Sequence, residues 1–555
     1  MGLSGRNLQL ALAACNSGGG AENNASIDSG NTSAGSNNSD STSNQAEPTN
    51  NAGANAGTNT AASPDNQGSQ GGAAVSARDT LTLGAIGDAA TLLPNGMSRS
   101  GLFAAARMYC EPLWEYTADD VLIPVLAESV EGLESTTWTV HLRQGVTFSN
   151  GSPFTASDVF FTMQYYKDAI VGQYREFDME KSRIIDDYTL EFILDPFGYT
   201  MQYAIGNLLI YDEETFDEDD FVINPVGTGP YVVDEYIITS HLHLKARDDY
   251  WGEKAKIANL HFKVFNEDAQ LTNALLAGEI DYVSLIPAQD IAYAENALQG
   301  YNIEKYNTMQ APNLAFNLNP VSIMSNMDAR LAACYATNRQ AIIDLVYFGN
   351  ASLIRWPVSE FSIGFEENMA NLHPVYSIGM DLERAREYAE KAGIIGKDIV
   401  VITNGALNFV TTAEIFQANM KEIGVNVVIN NYDAASFTTV QNDPEMYDIV
   451  MTQSASSSGL ALSLIAGTMM FTPTRYEGWA DFDYFIEIGY GAFANLSEAE
   501  RQDVLREVAK MLIDGVVWFG ICDVQAARAI NKDLTGIIFM KTTSMSRFDQ
   551  WYWVA

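Results

Sequence analysis

Leu12-Ala13-Ala14-Cys15 is the stretch whose residue types and spacing spell out a specific reaction. Small residues before a cysteine suit signal-peptidase cleavage, after which the Cys15 thiol carries lipid at the new N-terminus. The apolar run from Leu8 to Ala14, preceded by Arg6, fits the front of such a signal. Each acyl CH2 buried in a bilayer contributes roughly 0.8 kcal/mol, so more than one chain holds a soluble domain at a membrane surface. About sixty residues follow that are mostly Ser, Asn, Gly, Ala, Thr, Asp and Gln. Such a stretch cannot bury enough apolar area to offset the entropy of ordering it. It reads as a flexible tether. The expectation is a lipoprotein signal over 1–15, a disordered tether over 16–78, and a secreted globular part beyond. That places the protein on the extracellular side of the bacterial cytoplasmic membrane, held there through the lipid on Cys15.

The other chemically suggestive residues commit to no reaction. Gly227-Thr228-Gly229-Pro230 lacks the lysine and the following helix of a phosphate-binding loop. It reads as a rigid turn with two glycines free to take positive φ. The serines from Ser454 to Gly459 have no nearby base, since the nearest histidine in sequence is His373. Asp217-Glu218-Asp219-Asp220 reads as a solvated acidic face, and nothing singles out the two positioned carboxylates that a glycosidase needs. The five histidines show no metal-ligand spacing in this reading. With Cys15 assigned to lipid, Cys110, Cys334 and Cys522 remain, all among apolar neighbours, and buried free thiols are expected. No catalytic residue, cofactor or metal is therefore assigned, and a secreted hydrolase is disfavoured. The formal net charge of −39 argues against a nucleic-acid partner, whose phosphates need Lys and Arg. Aromatics are more suggestive. Trp114, Tyr116, Trp356, Trp479, Tyr484, Trp551 and Trp553 read as lying in loops or at element ends. There they either join the core or line a ligand cleft.

The elements that must position such residues alternate between strand and helix, which indicates a mixed α/β class. The 475 or so residues after the tether are too many for one core and suggest two or three domains. Strands are expected at 80–86, 138–142, 188–194, 231–236, 242–245, 281–285, 400–403, 425–429 and 449–451, from alternating or short apolar runs. Helices are expected from Thr155 onward, at 268–276 with Gly278 as its stop, and at 413–423 and 498–512. An apolar stripe from Leu331 to Val346 reads as helical, ending near Gly349. Asp381 should cap a helix that ends at Gly393.

Several segments, taken in order, resemble the family 5 extracellular solute-binding proteins of ABC importers, the group that includes dipeptide-, oligopeptide- and nickel-binding proteins. They are Pro124-Val125-Leu126-Ala127-Glu128-Ser129, the run Trp138 to Phe148, and Asn150 to Val159. Further on come Pro225 to Tyr231, Asp249-Tyr250-Trp251-Gly252, Ala277 to Asp281, Leu314-Ala315-Phe316-Asn317, and Arg330 to Ala336 with Asn338-Arg339. The resemblance covers roughly residues 79–555. It implies a bilobed, periplasmic-binding-protein-like α/β fold with an extra subdomain in lobe one. Carried onto this chain, lobe one is 79–305 with the extra subdomain at about 121–224, lobe two is 306–523, and 524–555 returns to lobe one. It further implies a peptide or similar small polar solute captured between the lobes and handed to an ABC transporter permease. An oligosaccharide receptor and a non-transport ligand sensor remain as alternatives on the same fold.

The implied cleft is lined by four regions: Gly87, Asp88 and Ala90 after the first strand; Gln310 and Asn313 at the lobe crossover; Arg355-Trp356; and Gln453, Ser454 and Ser456. The first two follow the family's use of strand-end residues. Trp356 is a candidate pocket wall or a core residue, and Arg355 a candidate carboxylate partner. The stretch Thr452 to Gly459 carries no acidic residue where peptide binders of the family place an aspartate for the ligand ammonium. The expectation is that no lobe-two aspartate reads a free peptide N-terminus, so that acetylating the amine changes affinity little; if a carboxylate from elsewhere serves that role, Asp88 and Asp448 are the first suspects.

Overall fold

The computed structural model describes residues 78–97, 101–117, 121–169, 174, 176–195, 201–362, 365–455, 469, 472–491, 496–539 and 546–554. Cys15, the tether and Ser456 lie outside these residues.

Two sheets organise the molecule. The larger one begins with the expected strand Thr80–Ile86, whose alternation buries Leu81, Leu83 and Ala85 on one face. Across the sheet the order is Tyr301–Asn307, Cys522–Asn531, Tyr282–Val283, Thr80–Ile86, Asn259–Phe265, His241–Ala246 and Tyr231–Ile237. The short strand Ala351–Leu353 also pairs with the start of Cys522–Asn531. The second sheet has the order Asn426–Asn431, Asp398–Thr403, Ile449–Ala455, Gln310–Phe316 and Trp518–Gly520. Its central strands read as continuous apolar runs because helices cover them. Ile399, Val401, Ile402, Ile449, Val450 and Met451 are all buried. A separate four-stranded antiparallel sheet, within residues 127–193, holds Trp138 edge-on to Phe177 at 5.4 Å.

Local signals account for most element ends. The Asp158 carboxylate accepts the Thr155 N–H at 2.8 Å, which fixes the start of Ala156–Ala169. Asp381 accepts the Arg384 N–H, and Gly393 at φ +67° closes Leu382–Ala392. Asp268–Leu276 forms as expected, with Gly278 at φ +70° just beyond it.

Three expectations fail for physical reasons. The stripe from Leu331 to Val346 is two helices, Met327–Ala336 and Arg339–Val346. The Asn338 side chain accepts the Ala341 N–H and restarts the second. Asp281–Leu285 is a strand only at Tyr282–Val283, because the Asp281 carboxylate turns aside to the Thr82 N–H and the Asn531 amide. Gly227 and Gly229 do not take positive φ. They are needed because a Cβ would lie 2.0 Å from the Tyr109 carbonyl oxygen and 2.5 Å from that of Met108. Cys110, Cys334 and Cys522 are buried free thiols. No helix among the described residues is long and apolar enough to cross a membrane.

Candidate functional site at the lobe crossing

Two segments pass side by side from one sheet to the other. Tyr301–Asn307 in the larger sheet leads through Thr308 and Met309 into Gln310–Phe316 in the second. Trp518–Gly520 in the second leads through Ile521 into Cys522–Asn531 in the larger. They are laced together where they cross: the Thr308 N–H and hydroxyl both donate to the Val524 carbonyl, and the Ile521 N–H donates to Pro312. Met309 sits at φ +55°, a left-handed conformation that non-glycine residues avoid, so the crossing is a sharp, costly turn.

This crossing gathers three of the four expected regions. Ala311 pairs with Ser454, Pro312 with Gln453, and Gln310 with Ala455. Gln453 and Ser454 thus lie in a strand that runs to Ala455, beyond the Met451 end expected. Asn313 pairs with Gly520 on its other side. Gly520 in turn must be glycine, since a Cβ would stand 2.3 Å from Ile354 Cδ1 and 2.9 Å from the carbonyl oxygens of Trp356 and Pro357. The segment Ile354 to Pro357 therefore packs directly on the crossing. The fourth region is placed differently. Asp88 accepts hydrogen bonds from the Tyr236 hydroxyl, the Thr239 N–H and the Ala90 N–H, so it secures the turn after the first strand to the hairpin at Thr239. These bonds hold Asp88 below the usual carboxylate range against the opposing effect of burial, its largest influence. Ala90 sits at φ +55° within that turn, and Gly87 at φ +74°.

Arg355 is not free to meet a ligand carboxylate. Its guanidinium spans Glu360, at 3.0 and 2.6 Å, and Glu367, at 2.5 and 3.0 Å. Glu360 in turn donates its backbone N–H to Asp523 at 3.0 Å. Trp356 is fully buried and packs on Phe365 with ring centroids 4.9 Å apart. Core packing describes it better than an open pocket wall. Asp448 is also committed, accepting from Ser322, Ile323 and Val400.

Sequence reasoning missed Asp523. It begins the long returning strand, is 2% exposed, and has one carboxylate oxygen, Oδ1, without a hydrogen-bond partner among the described residues. Burial pushes its carboxyl up to about 6, opposed by the Ser359 hydroxyl and the Glu360 N–H. Two more buried polar atoms on the segments at the crossing lack a hydrogen-bond partner among the described residues: Asn313 Oδ1, an acceptor, and Trp356 Nε1, a donor. The signal was present in the run Val516 to Val524, where an acidic residue interrupts an otherwise apolar, strand-forming stretch. A buried polar group left partly unpaired calls for an explanation, and a functional role is one.

The profile of the bacterial extracellular solute-binding proteins, family 5, matches residues 121–466. The nickel-binding periplasmic protein of Escherichia coli K12 is 26% identical over 390 residues, which cover 63% of this chain and 71% of that protein. The dipeptide-binding protein of the same organism is 24% identical over 368 residues, covering 60% and 67%. Among solved structures, NikA from Brucella suis in complex with Fe(III)-EDTA superposes with a TM-score of 0.73 at 21% identity, covering 85% of this chain and 99% of that one. DppA from Helicobacter pylori in complex with the peptide STSA gives a TM-score of 0.69 at 20% identity, covering 86% and 98%. These likenesses establish the bilobed fold.

Proposed function

Because the chain belongs to the bacterial extracellular solute-binding proteins of family 5, we propose that it is the receptor of an ABC importer and closes its two lobes on a short peptide whose ammonium lodges at Asp523. The observation that carries the ligand class is the Asp523 carboxylate, buried with one oxygen unpaired. A buried carboxylate without a counter-charge is costly. A ligand ammonium relieves that cost and brings the donors that Asp523 Oδ1 and Asn313 Oδ1 lack. The dipeptide-binding relative and the peptide-bound structure support the same class. A neutral, hydroxyl-rich solute such as an oligosaccharide is the second reading, favoured by the uncharged Gln453 and Ser454 beside Gln310. A ligand sensor would use the same site without a permease.

The proposed lobes are 79–305 and 306–523, with 524–555 returning to the first; the connections between the two sheets at Thr308–Met309 and Ile521 support this division. The proposal includes lipidation of Cys15, which would tether the receptor to the outer face of the cytoplasmic membrane. Detergent fractionation of the full chain and of Cys15→Ser tests it: equal release of both into the soluble fraction refutes anchoring. Native mass spectrometry of purified protein tests the ligand class. A co-purified peptide that is lost in Asp523→Asn supports the reading, and a co-purified neutral sugar retained in that variant moves the oligosaccharide reading to first place.

A further inference from the structure

The edge of the larger sheet farthest from the crossing carries a cluster of imidazoles. His241 and His243 lie two apart on one strand, so both side chains fall on the same face. His261 is directly across from His243 on the next strand. The rings form a stack, with centroids 4.3 Å apart for His241–His243 and 3.9 Å for His243–His261. A β-bulge between Val233 and Glu235 shifts the register of the outer strand. The bulge sets Glu235, rather than Asp234, opposite His243. Glu235 Oε2 then stands 3.2 Å from His241 Nε2 and 3.5 Å from His243 Nδ1.

We propose that Glu235, His241 and His243 form a binding site for a borderline divalent transition-metal ion, Zn2+, Ni2+ or Cu2+, on this face of the sheet. All three ligand atoms lie within 4.8 Å of one another. An ion held at about 2.1 Å by each tetrahedral ligand needs ligand atoms about 3.4 Å apart, and both carboxylate-to-imidazole distances already match. His241 Nε2 is shielded from solvent and makes no hydrogen bond among the described residues, although Glu235 is near. Its other nitrogen, Nδ1, lies 3.0 Å from the Ser240 hydroxyl. If Nδ1–H donates to that oxygen, the lone pair is left on Nε2, the arrangement found around metal-bound imidazoles. His243 is drawn below its ordinary range by burial and by His261 and His241, against the pull of Glu235 and Asp234. Burial and His241 lower His261, against Asp234 and Asp79. Lys263 faces His241 across the strands, but its ammonium is 3.3 Å from Glu279. Two imidazoles and a carboxylate suit ions of this class.

This site is independent of the proposed ligand site. Four strand spacings separate His241–Ala246 from Cys522–Asn531 in the sheet order, on the order of 19 Å at about 4.8 Å each. Two histidines two residues apart present their rings on one face once they lie on a strand, a juxtaposition that their spacing in sequence does not report.

Calorimetric titration of the full chain with Ni2+ and with Zn2+ alone tests the site. The expected result is one ion per chain, weakened at least tenfold in His241→Ala and in His243→Ala, with His141→Ala unchanged. Glu235→Gln, at an exposed side chain, should weaken it as well without disturbing the fold. Cu2+ bound to the full chain should give an electron paramagnetic spectrum with nitrogen couplings that His243→Ala simplifies. Absence of a one-to-one site, or equal affinity in the histidine variants, overturns the proposal. Peptide affinity measured on His243→Ala separates the two sites, because the cleft should be untouched.

Discussion

At the scale of single residues, the proposed ligand partner Asp523 carries a cost in stability. Its carboxyl is held at about 6 rather than 3.8 because burial disfavours the charged form. The unfolded chain gives up this proton first, so the folded protein binds more protons between the two values. The stability tied to neutral Asp523 is complete below the lower value and is lost as pH rises through about 6. At 1.36 kcal/mol per pKa unit this amounts to roughly 3 kcal/mol. Asp523→Asn should therefore make the ligand-free protein more stable than the parent at pH 8, with the difference vanishing near pH 4. Thermal melts at both values check this, and a parent at least as stable as the variant at pH 8 contradicts it. Such a residue is hard to pick out in a sequence with 70 acidic residues, because what distinguishes it is burial with one oxygen left unpaired among the described residues. Arg355 shows the reverse difficulty. Its type suggested a ligand contact, but Glu360 and Glu367, five and twelve positions on, neutralise it.

At the scale of elements, local chemistry made much of the fold legible. The strand at 80–86, the helix at 268–276, and the Asp381-to-Gly393 helix all follow from alternation or caps that act over a few residues. What was not legible depended on contacts far apart in sequence. The role of Gly227 is set by the Tyr109 carbonyl, more than a hundred positions away, and no local pattern reports that. This distinction predicts two kinds of glycine variant. Gly227→Ala places a methyl against fixed backbone and should destabilise by several kcal/mol, of the order of 3 or more. Gly278→Ala meets nothing within 4 Å and is penalised only for its φ of +70°, about 1 kcal/mol. Urea melts of the two variants test this, and equal losses would contradict the packing account. The histidine pair was missed in the same way: its meaning required knowing that 241–246 is a strand and that a bulge brings up Glu235.

At the scale of the whole molecule, the two sheets communicate through the crossing at Thr308–Met309 and Ile521. A ligand that touches both lobes favours the closed arrangement by its difference in affinity for the two states. Micromolar binding makes about 8.2 kcal/mol available, ample for a shift of a few kcal/mol. Small-angle scattering should therefore show a smaller radius of gyration at saturating ligand than without it, and an unchanged radius would argue against hinge closure. Family membership and the bilobed fold were foreseeable from a run of short motifs in fixed order. The broad ligand class, a peptide or similar small polar solute, was legible from the same motifs, whereas the contacts at the crossing were not, because they join strands distant in sequence.

In the proposed complex a ligand ammonium neutralises Asp523. Calorimetry on matched free and N-acetylated peptides, with the parent and Asp523→Asn, tests it most directly. Breaking a buried charge pair costs about 2–5 kcal/mol, so acetylation should weaken binding to the parent by a factor of roughly 30 or more at 1.4 kcal/mol per decade. In Asp523→Asn the free peptide should bind as weakly as its acetylated partner does to the parent, and acetylation should matter little. Equal affinity of the parent for both peptides, or no binding of either, would contradict the account.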